Sequence, residues 1–340
     1  MSVRAELTPD AALPALARAL DVDFMRPLLA RAVHGSADAA PPLDWSAEVL
    51  NHKLGRRCTI RYLPFGPAGS DTSARPVIGK LYGQTRRASR VYGWLQALRS
   101  GVAGDGALGD IPAPLALLPD LGLVLQEHVD GVDLRYVFPT GDCERALPMA
   151  ARWLAAMHAV PALDELKVTS PAHELRRAER WCGEVCPCLP DAAQRRLSRA
   201  VETLRRAAGE MGGYSQCMIH RDFYYAQLLW DGTRVWVLDF DQLTVGDPAL
   251  DVAHFVAHLA KLSYRTSGRP DRLAEPARLF VRSYRERSPV DIEPRLPFYK
   301  ACTFLKLAAK EANRKRGNWQ GAVSALTDLA CQEAEGAYEK

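Results

Sequence analysis

The chain has 340 residues, is 48% hydrophobic and 25% charged, and carries a formal net charge of +4. That composition can bury one large or two modest cores, and it excludes a disordered, collagenous or disulfide-stapled chain. Such mild basicity argues against a nucleic-acid partner, and no apolar run reaches the roughly 18 residues of a membrane-spanning helix, so no membrane partner is expected.

Residues 11–34 read as helix, with Leu16, Leu20, Leu28 and Leu29 on apolar faces, inside an N-terminal helical extension spanning 1–44. The opening MSVRAELTPD lacks the apolar stretch of an export signal, so a cytoplasmic location with reduced cysteines is expected. From Val49 to Tyr82 the texture turns β-rich: CTIRYL and PVIGKLY read as strands, separated by the turn-rich FGPAGSDTSARP. A helix follows in RASRVYGWLQALRS, where Val91, Trp94, Leu95 and Leu98 fall at i, i+3, i+4 and i+7. A strand pair in PLALLPDLGLVLQEHV completes a small sheet carrying one helix over residues 45–130.

Residues 131–340 are mainly helical. ERALPMAARWLAAMHAV is amphipathic, two arginine-rich helical segments occupy 172–210, and helices fill 250–335. One strand–turn–strand unit, catalytic in character, interrupts them at 218–241. The expected fold class is therefore α+β and bilobal, with a small β-rich N-lobe and a larger helical C-lobe. The cluster Cys182, Cys186, Cys188 has a C-x3-C-x-C spacing that matches no common zinc site, and packed thiols are the expectation there.

The chemistry concentrates between Met218 and Phe255. His220, Arg221 and Asp222 stand together, Gln227 follows five residues after the aspartate, and Asp239 closes the apolar strand WVL twelve residues later. Asp247 and Asp251 then precede a helix. This offers one proton acceptor and two oxygen-bearing metal ligands from the two sides of one hairpin. Phosphoryl transfer needs that inventory, because its catalysis is positioning of the attacking hydroxyl plus electrostatic stabilisation of the phosphoryl oxygens.

HRDFYYAQ, then VLDFD, then GDPALDVAHF resembles the catalytic region of the aminoglycoside phosphotransferase and choline kinase group of protein-kinase-like enzymes. Upstream, GRRCTIRYL, PVIGKLY, LGLVLQEHVDG and AARWLAAMH fall in that family's order, so the resemblance covers roughly residues 45–260. It implies a protein-kinase-like fold, ATP or GTP and Mg2+ as cofactors, and a small-molecule, hydroxyl-bearing substrate. Asp222 would be the catalytic aspartate. Asp239 and Gln227 would bind magnesium, Gln227 standing where the family has asparagine. Lys80 would reach the α and β phosphates, and backbone groups of Gln126 and His128 would bind adenine. Asp251 would support the catalytic loop through backbone contacts.

The lysine of a kinase is normally held by a helix glutamate, yet no acidic residue lies between Leu81 and Gly104, which leaves Gln84, Tyr92, Gln96 or Asp239 to orient Lys80. LPFGPAGSDTSARP also lacks G-x-G-x-x-G. The missing helix glutamate, with the Gln227 exchange, motivates an alternative: an impaired nucleotide-binding pseudokinase that regulates a partner. Only about a dozen residues separate Asp239 from Asp251, with no A-P-E, so a peptide-docking segment is not expected and Arg221 has no phosphorylated loop to face. The bland readings are a packed His220, turn or cap roles for Asp241 and Asp247, and core roles for His254 and His258 in the apolar VAHFVAHLA. Tyr224 and Tyr225 either line a cleft or pack. The basic tail from 260 to 340 leans toward a neutral or anionic acceptor, although a solvated basic face explains it equally well.

Overall fold

Cys58, Ile60 and Tyr62 alternate with half-exposed neighbours and are fully buried, so one face of their strand is a core face. The computed structural model describes residues 10–35, 43–66, 75–102 and 111–337. The chain divides into two units, one comprising residues 1–101 and 111–130, the other built mainly from Gly131 onward.

The first unit opens with helices α1 (Leu16–Leu20) and α2 (Val22–His34). Asp21 caps α2 by accepting from the Asp23 and Phe24 amides, and Gly35 closes it in the left-handed conformation. Strands β1 (Asp44–Lys53), β2 (Arg57–Phe65) and β3 (Val77–Tyr82) lead to helix α3 (Thr85–Val102), then β4 (Pro114–Leu118) and β5 (Leu123–Glu127). They form one antiparallel five-stranded sheet in the order β1-β2-β3-β5-β4. Leu13, Leu16, Ala19, Met25 and Leu29 share a buried cluster with Cys58, Ile60, Tyr62, Val77, Leu81 and Leu123. The N-terminal helices thus cover this sheet, and the Tyr62 hydroxyl donates to the Ala19 carbonyl at 2.7 Å. Each fully buried Leu or Met in this cluster contributes about 1.5–3 kcal/mol.

The second unit contains β6 (Val132–Asp133), α4 (Cys143–Ala159), α5 (Pro171–Val185), α6 (Asp191–Glu210), β7 (Cys217–Ile219), β8 (Leu228–Trp230), β9 (Val235–Val237) and β10 (Thr244–Gly246). Helices α7 (Ala249–Ser267), α8 (Ala274–Arg285), α9 (Leu296–Arg314) and α10 (Trp319–Gly336) complete it. Helix α9 is central, packing against α5, α7 and α10. The fold class is the expected one, a β-sheet N-terminal region followed by a mainly helical part.

The 218–241 segment is more divided than a single hairpin. β8 and β9 do form one, in a three-stranded sheet with β6, but β7 pairs with β10 instead. Only β8 and β9 are separated by a tight turn, where the Asp231 carboxylate accepts from the Thr233 and Arg234 amides and Gly232 takes a φ of 96°. The longer span from β7 to β8 is thereby free to form the loop that carries Asp222. The last residue of β10, Gly246, has no room for a side chain, because a Cβ there would stand 2.7 Å from Thr169 and 2.9 Å from Ile219.

Candidate active site

Each of the two key aspartates precedes a phenylalanine, and that pairing fixes them. Phe223 and Phe240 are buried, and both rings lie near Trp153 of α4, at 6.1 and 6.0 Å between centroids. Burying the aromatic anchors the backbone and leaves the adjacent carboxylate to face away from the core. The His220 ring packs against both phenylalanines and lies 3.0 Å from the Leu238 carbonyl through Nε2. The Leu238 amide in turn donates to the Gln227 carbonyl at 2.8 Å. Leu238 thus ties the loop carrying Asp222 to the strand end, and Asp239 follows it directly.

Asp251, in the first turn of α7, is the buried hinge of this arrangement. Its carboxylate accepts from the His220 and Arg221 amides, each at 2.6 Å, and His158 Nε2 lies 3.2 Å away. Burial alone would raise the Asp251 carboxyl, but the His158 contact and the loop amides hold it below its usual value. His158 is aligned from behind by the Tyr284 hydroxyl, 2.8 Å from Nδ1. Arg221 and Asp239 both have left-handed backbones, with φ of 66° at each. A non-glycine residue in that conformation costs about 1–3 kcal/mol and persists only where its surroundings enforce it. For Arg221 the enforcing contacts are its amide on Asp251 and its guanidinium on the buried Glu174, at 2.9 Å. Asp247 has the cap role read from the sequence: it accepts from the Ala249 amide at 2.9 Å and pairs with Arg295 at 2.6 Å.

Asp222 follows the strained Arg221 and keeps 24% of its side chain exposed, so a ligand can reach it. Its Oδ1 stands 3.4 Å from His254 Nε2 and 3.6 Å from Lys306 Nζ. Burial would raise its carboxyl, but His254 and the Lys306 charge hold it well below the ordinary range. His254 itself is driven down to about 4, first by burial and then by Lys306, so it is a neutral imidazole at pH 7. The Tyr224 ring lies tilted against His258 with centroids 4.1 Å apart, and burial, Asp222 and Asp239 all push its phenol upward. The Tyr224 ring therefore stands where the fields of both carboxylates are felt.

Gln227 Nε2 lies 3.5 Å from Asp239 Oδ2. Amide and carboxylate are hard oxygen donors, the class magnesium takes, and with the amide turned its oxygen stands beside the carboxylate. Among the described residues no group of three His, Cys, Asp or Glu side chains could enclose a cation. A partial shell of one carboxylate and one amide suits magnesium, which keeps several waters and takes phosphate oxygens.

The other expected site residues belong to the first unit. Lys80 is buried in β3, opposite Thr59 of β2 and Val124 of β5. Helix α3 carries no Asp or Glu, so any carboxylate facing Lys80 lies on another element, and Gln84 and Gln96 are exposed. Gln126 is buried in β5 opposite Ile78 and Pro114, whereas His128 lies just past the end of that strand with its ring 3.3 Å from Asp130. Most of the loop FGPAGSDTSARP, including Gly69, lies outside the described residues.

Two sets of residues escaped the sequence reading. His254 and His258 are buried, as expected for core histidines, but His254 faces Asp222 rather than serving packing alone. The available signal was Asp251: once it is bound to the His220 and Arg221 amides, positions three and seven residues further along α7 share its side. Lys306 and Lys310 of α9 were hidden inside a generally basic tail, and only tertiary packing singles them out. The cysteines Cys182 and Cys186 place their sulfurs 3.9 Å apart, and all eight cysteines are free.

A sequence model of the phosphotransferase enzyme family matches residues 72–295. A comparison with curated protein sequences gives no match. The fold is similar to that of a thermostable mutant of aminoglycoside phosphotransferase APH(4)-Ia solved with AMP-PNP and hygromycin B, at 14% identity, covering 89% of this chain and 97% of that one, with a TM-score of 0.59. It is also similar to a microcompartment-associated aminopropanol kinase, at 20% identity, 86% and 91% coverage and a TM-score of 0.61. Choline kinase from Cryptosporidium parvum Iowa II gives 11% identity, 93% and 96% coverage and a TM-score of 0.62.

Proposed function

The chain belongs to the phosphotransferase enzyme family, and from that premise we propose that it transfers the γ-phosphate of ATP, or of GTP, to a hydroxyl of a small molecule. The observation that carries this reading is the site around Asp222: an ionised, reachable carboxylate on a strained loop, braced by the fully buried Asp251, with an amide–carboxylate pair at the end of the neighbouring strand. In this role Asp222 accepts a hydrogen bond from the acceptor hydroxyl, aims its lone pair at the phosphorus and takes up its proton as the new P–O bond forms. A low carboxyl pKa suits late proton uptake, when the oxygen has already become acidic through bonding to phosphorus.

Gln227 and Asp239 would hold magnesium, which supplies charge stabilisation to the phosphate oxygens. Lys80 would bind the α and β phosphates, and backbone groups of Gln126 and His128 the base. The neutral His254 stands 3.4 Å from Asp222 through Nε2 and borders the carboxylate without adding charge. Only a short stretch separates Asp239 from α7, and it is spent on β10 and the Asp247 cap, which favours a small-molecule acceptor over a peptide.

The competing reading is an impaired nucleotide-binding module, favoured by the carboxylate-free α3 beside Lys80. A magnesium-dependent thermal shift with ATP, followed by ADP formation across a panel of hydroxylated compounds, separates them. Turnover with at least one acceptor is the expected result. Nucleotide binding with no turnover on any acceptor favours the regulatory module, and no nucleotide binding contradicts both.

A further inference from the structure

Helix α9 turns Lys306 and Lys310 toward the same surroundings, four residues apart on one face. Lys306 Nζ is 3.6 Å from Asp222 Oδ1, with only 18% of its side chain exposed. Lys310 is half-buried and, among the described residues, makes no ion pair or hydrogen bond. One turn beyond His254 lies His258, 5% exposed, whose Nε2 has no hydrogen-bond partner among the described residues and whose ring centroid is 4.4 Å from that of His254.

The neighbouring Lys261 shows what a closed arrangement looks like here, since it pairs with Glu311 at 2.5 Å between α7 and α9. Lys306 has only the looser pairing with Asp222, at 3.6 Å, and Lys310 has no ion pair of its own but lies in the field of the same carboxylate. That carboxylate is the one the phosphoryl-transfer reading assigns to the acceptor hydroxyl. Burial and the neighbouring Lys306 charge lower Lys310 to about 8, the mark of a cation held in a poorly compensated field. Buried charge without a partner is costly, and clusters of such perturbed groups concentrate at functional sites.

We propose that the acceptor carries an anionic group, a carboxylate or a phosphate, which Lys306 and Lys310 bind while its hydroxyl faces Asp222 and His258 Nε2 donates to or accepts from its polar atoms. This rests on the phosphotransferase reading of Asp222. A polycationic acceptor would meet two lysines across a single carboxylate and is disfavoured by the same geometry.

Two titrations separate the inference from its premise. Magnesium AMP-PNP titrated calorimetrically into the protein tests the kinase reading alone. Inorganic phosphate and D-glycerate, titrated into protein saturated with that nucleotide, test the anion subsite, with glycerol and choline as neutral and cationic controls. At least one anion is expected to bind more tightly than both controls, and the tighter of the two identifies the group as phosphate or carboxylate. Lys306→Gln and Lys310→Gln are each expected to weaken that anion at least tenfold, with Lys310→Arg retaining it. Lys310 has no partner to lose, so its variants keep the fold even if Lys306→Gln does not, as circular dichroism would show. The inference is overturned if neither anion binds, if glycerol or choline binds more tightly, or if Lys310→Gln leaves the anion affinity unchanged. A protein that binds no AMP-PNP contradicts the kinase reading, while anion binding lost in Lys310→Gln would still assign the subsite.

Discussion

Replacing Asp251 with asparagine tests the brace behind the loop that carries Asp222. The carboxylate offers acceptor oxygens to two backbone amides at 2.6 Å and to His158 Nε2 at 3.2 Å, all shielded from water. Asparagine keeps one acceptor oxygen but turns an NH2 group toward one of the amides, so a donor faces a donor. One charge-assisted hydrogen bond, about 1.5–3 kcal/mol, is lost, and a buried N–H is left unpaired at a further 1–3 kcal/mol. The expected destabilisation is about 3 kcal/mol, which lowers the melting temperature by about 6–12 °C for a unit of this size. The effect has a local signature, because the freed amides belong to His220 and Arg221 and the latter sits at a φ of 66°. Hydrogen exchange of the peptide containing them should accelerate out of proportion to the rest of the unit. The stability gap should also narrow in acid: Asp251's lowered pKa contributes stability above the unfolded value of 3.8 that is lost as pH falls through the folded value. A melting temperature within about 2 °C of wild type, with the loop amides still protected, would refute the brace, since it would correspond to less than about 1 kcal/mol.

Asp222→Asn should reduce turnover by about 10²–10⁴-fold while leaving magnesium–nucleotide affinity within a few-fold, as steady-state and binding measurements would show. Asp239→Ala should weaken nucleotide binding in the presence of magnesium and leave it little changed in EDTA; equal affinity with and without the metal in both proteins would remove its assigned role. The buried histidines give an acid-sensitive stability. His254 titrates near 6.5 when unfolded but near 4 when folded, so the unfolded state gains protons first and stability falls as pH drops from 6.5 to 4, by about 3 kcal/mol for this group. His254→Gln should flatten that limb in melts between pH 7 and 5, and an unchanged slope would show that the imidazole is not held neutral.

The β-sheet N-terminal region, the helical remainder and most elements were legible because they depend on local periodicity. The 3.6-residue spacing in RASRVYGWLQALRS gave α3, and the alternation in CTIRYL gave the buried face of β2. The spacing of Asp222, Gln227 and Asp239 was readable because all three attach to one loop and one hairpin, so their separation is set by short lengths of chain. β7 pairing with β10 was not readable, because a three-residue strand carries too little pattern to choose its partner. His254, Lys306 and Lys310 were invisible as a set for a related reason. They approach Asp222 only after α7 and α9 pack together, and side-chain convergence across such sequence distances leaves no periodic trace. Composition alone could not single them out: Arg314, Lys315 and Arg316 in the same basic tail are exposed, while Lys306 and Lys310 sit singly on the more buried side of α9.

The central claim is that the carboxylates after β7 and β9 serve a bound triphosphate. Its most direct test is a crystal structure with AMP-PNP and manganese, whose anomalous signal locates the metal. The account predicts a metal coordinated by oxygens of Asp239 and Gln227 and by nucleotide phosphate, with Asp222 facing the γ-phosphate and not ligating the metal. A nucleotide bound with its phosphates away from Asp239, or a metal site that includes neither Asp239 nor Gln227, would contradict it.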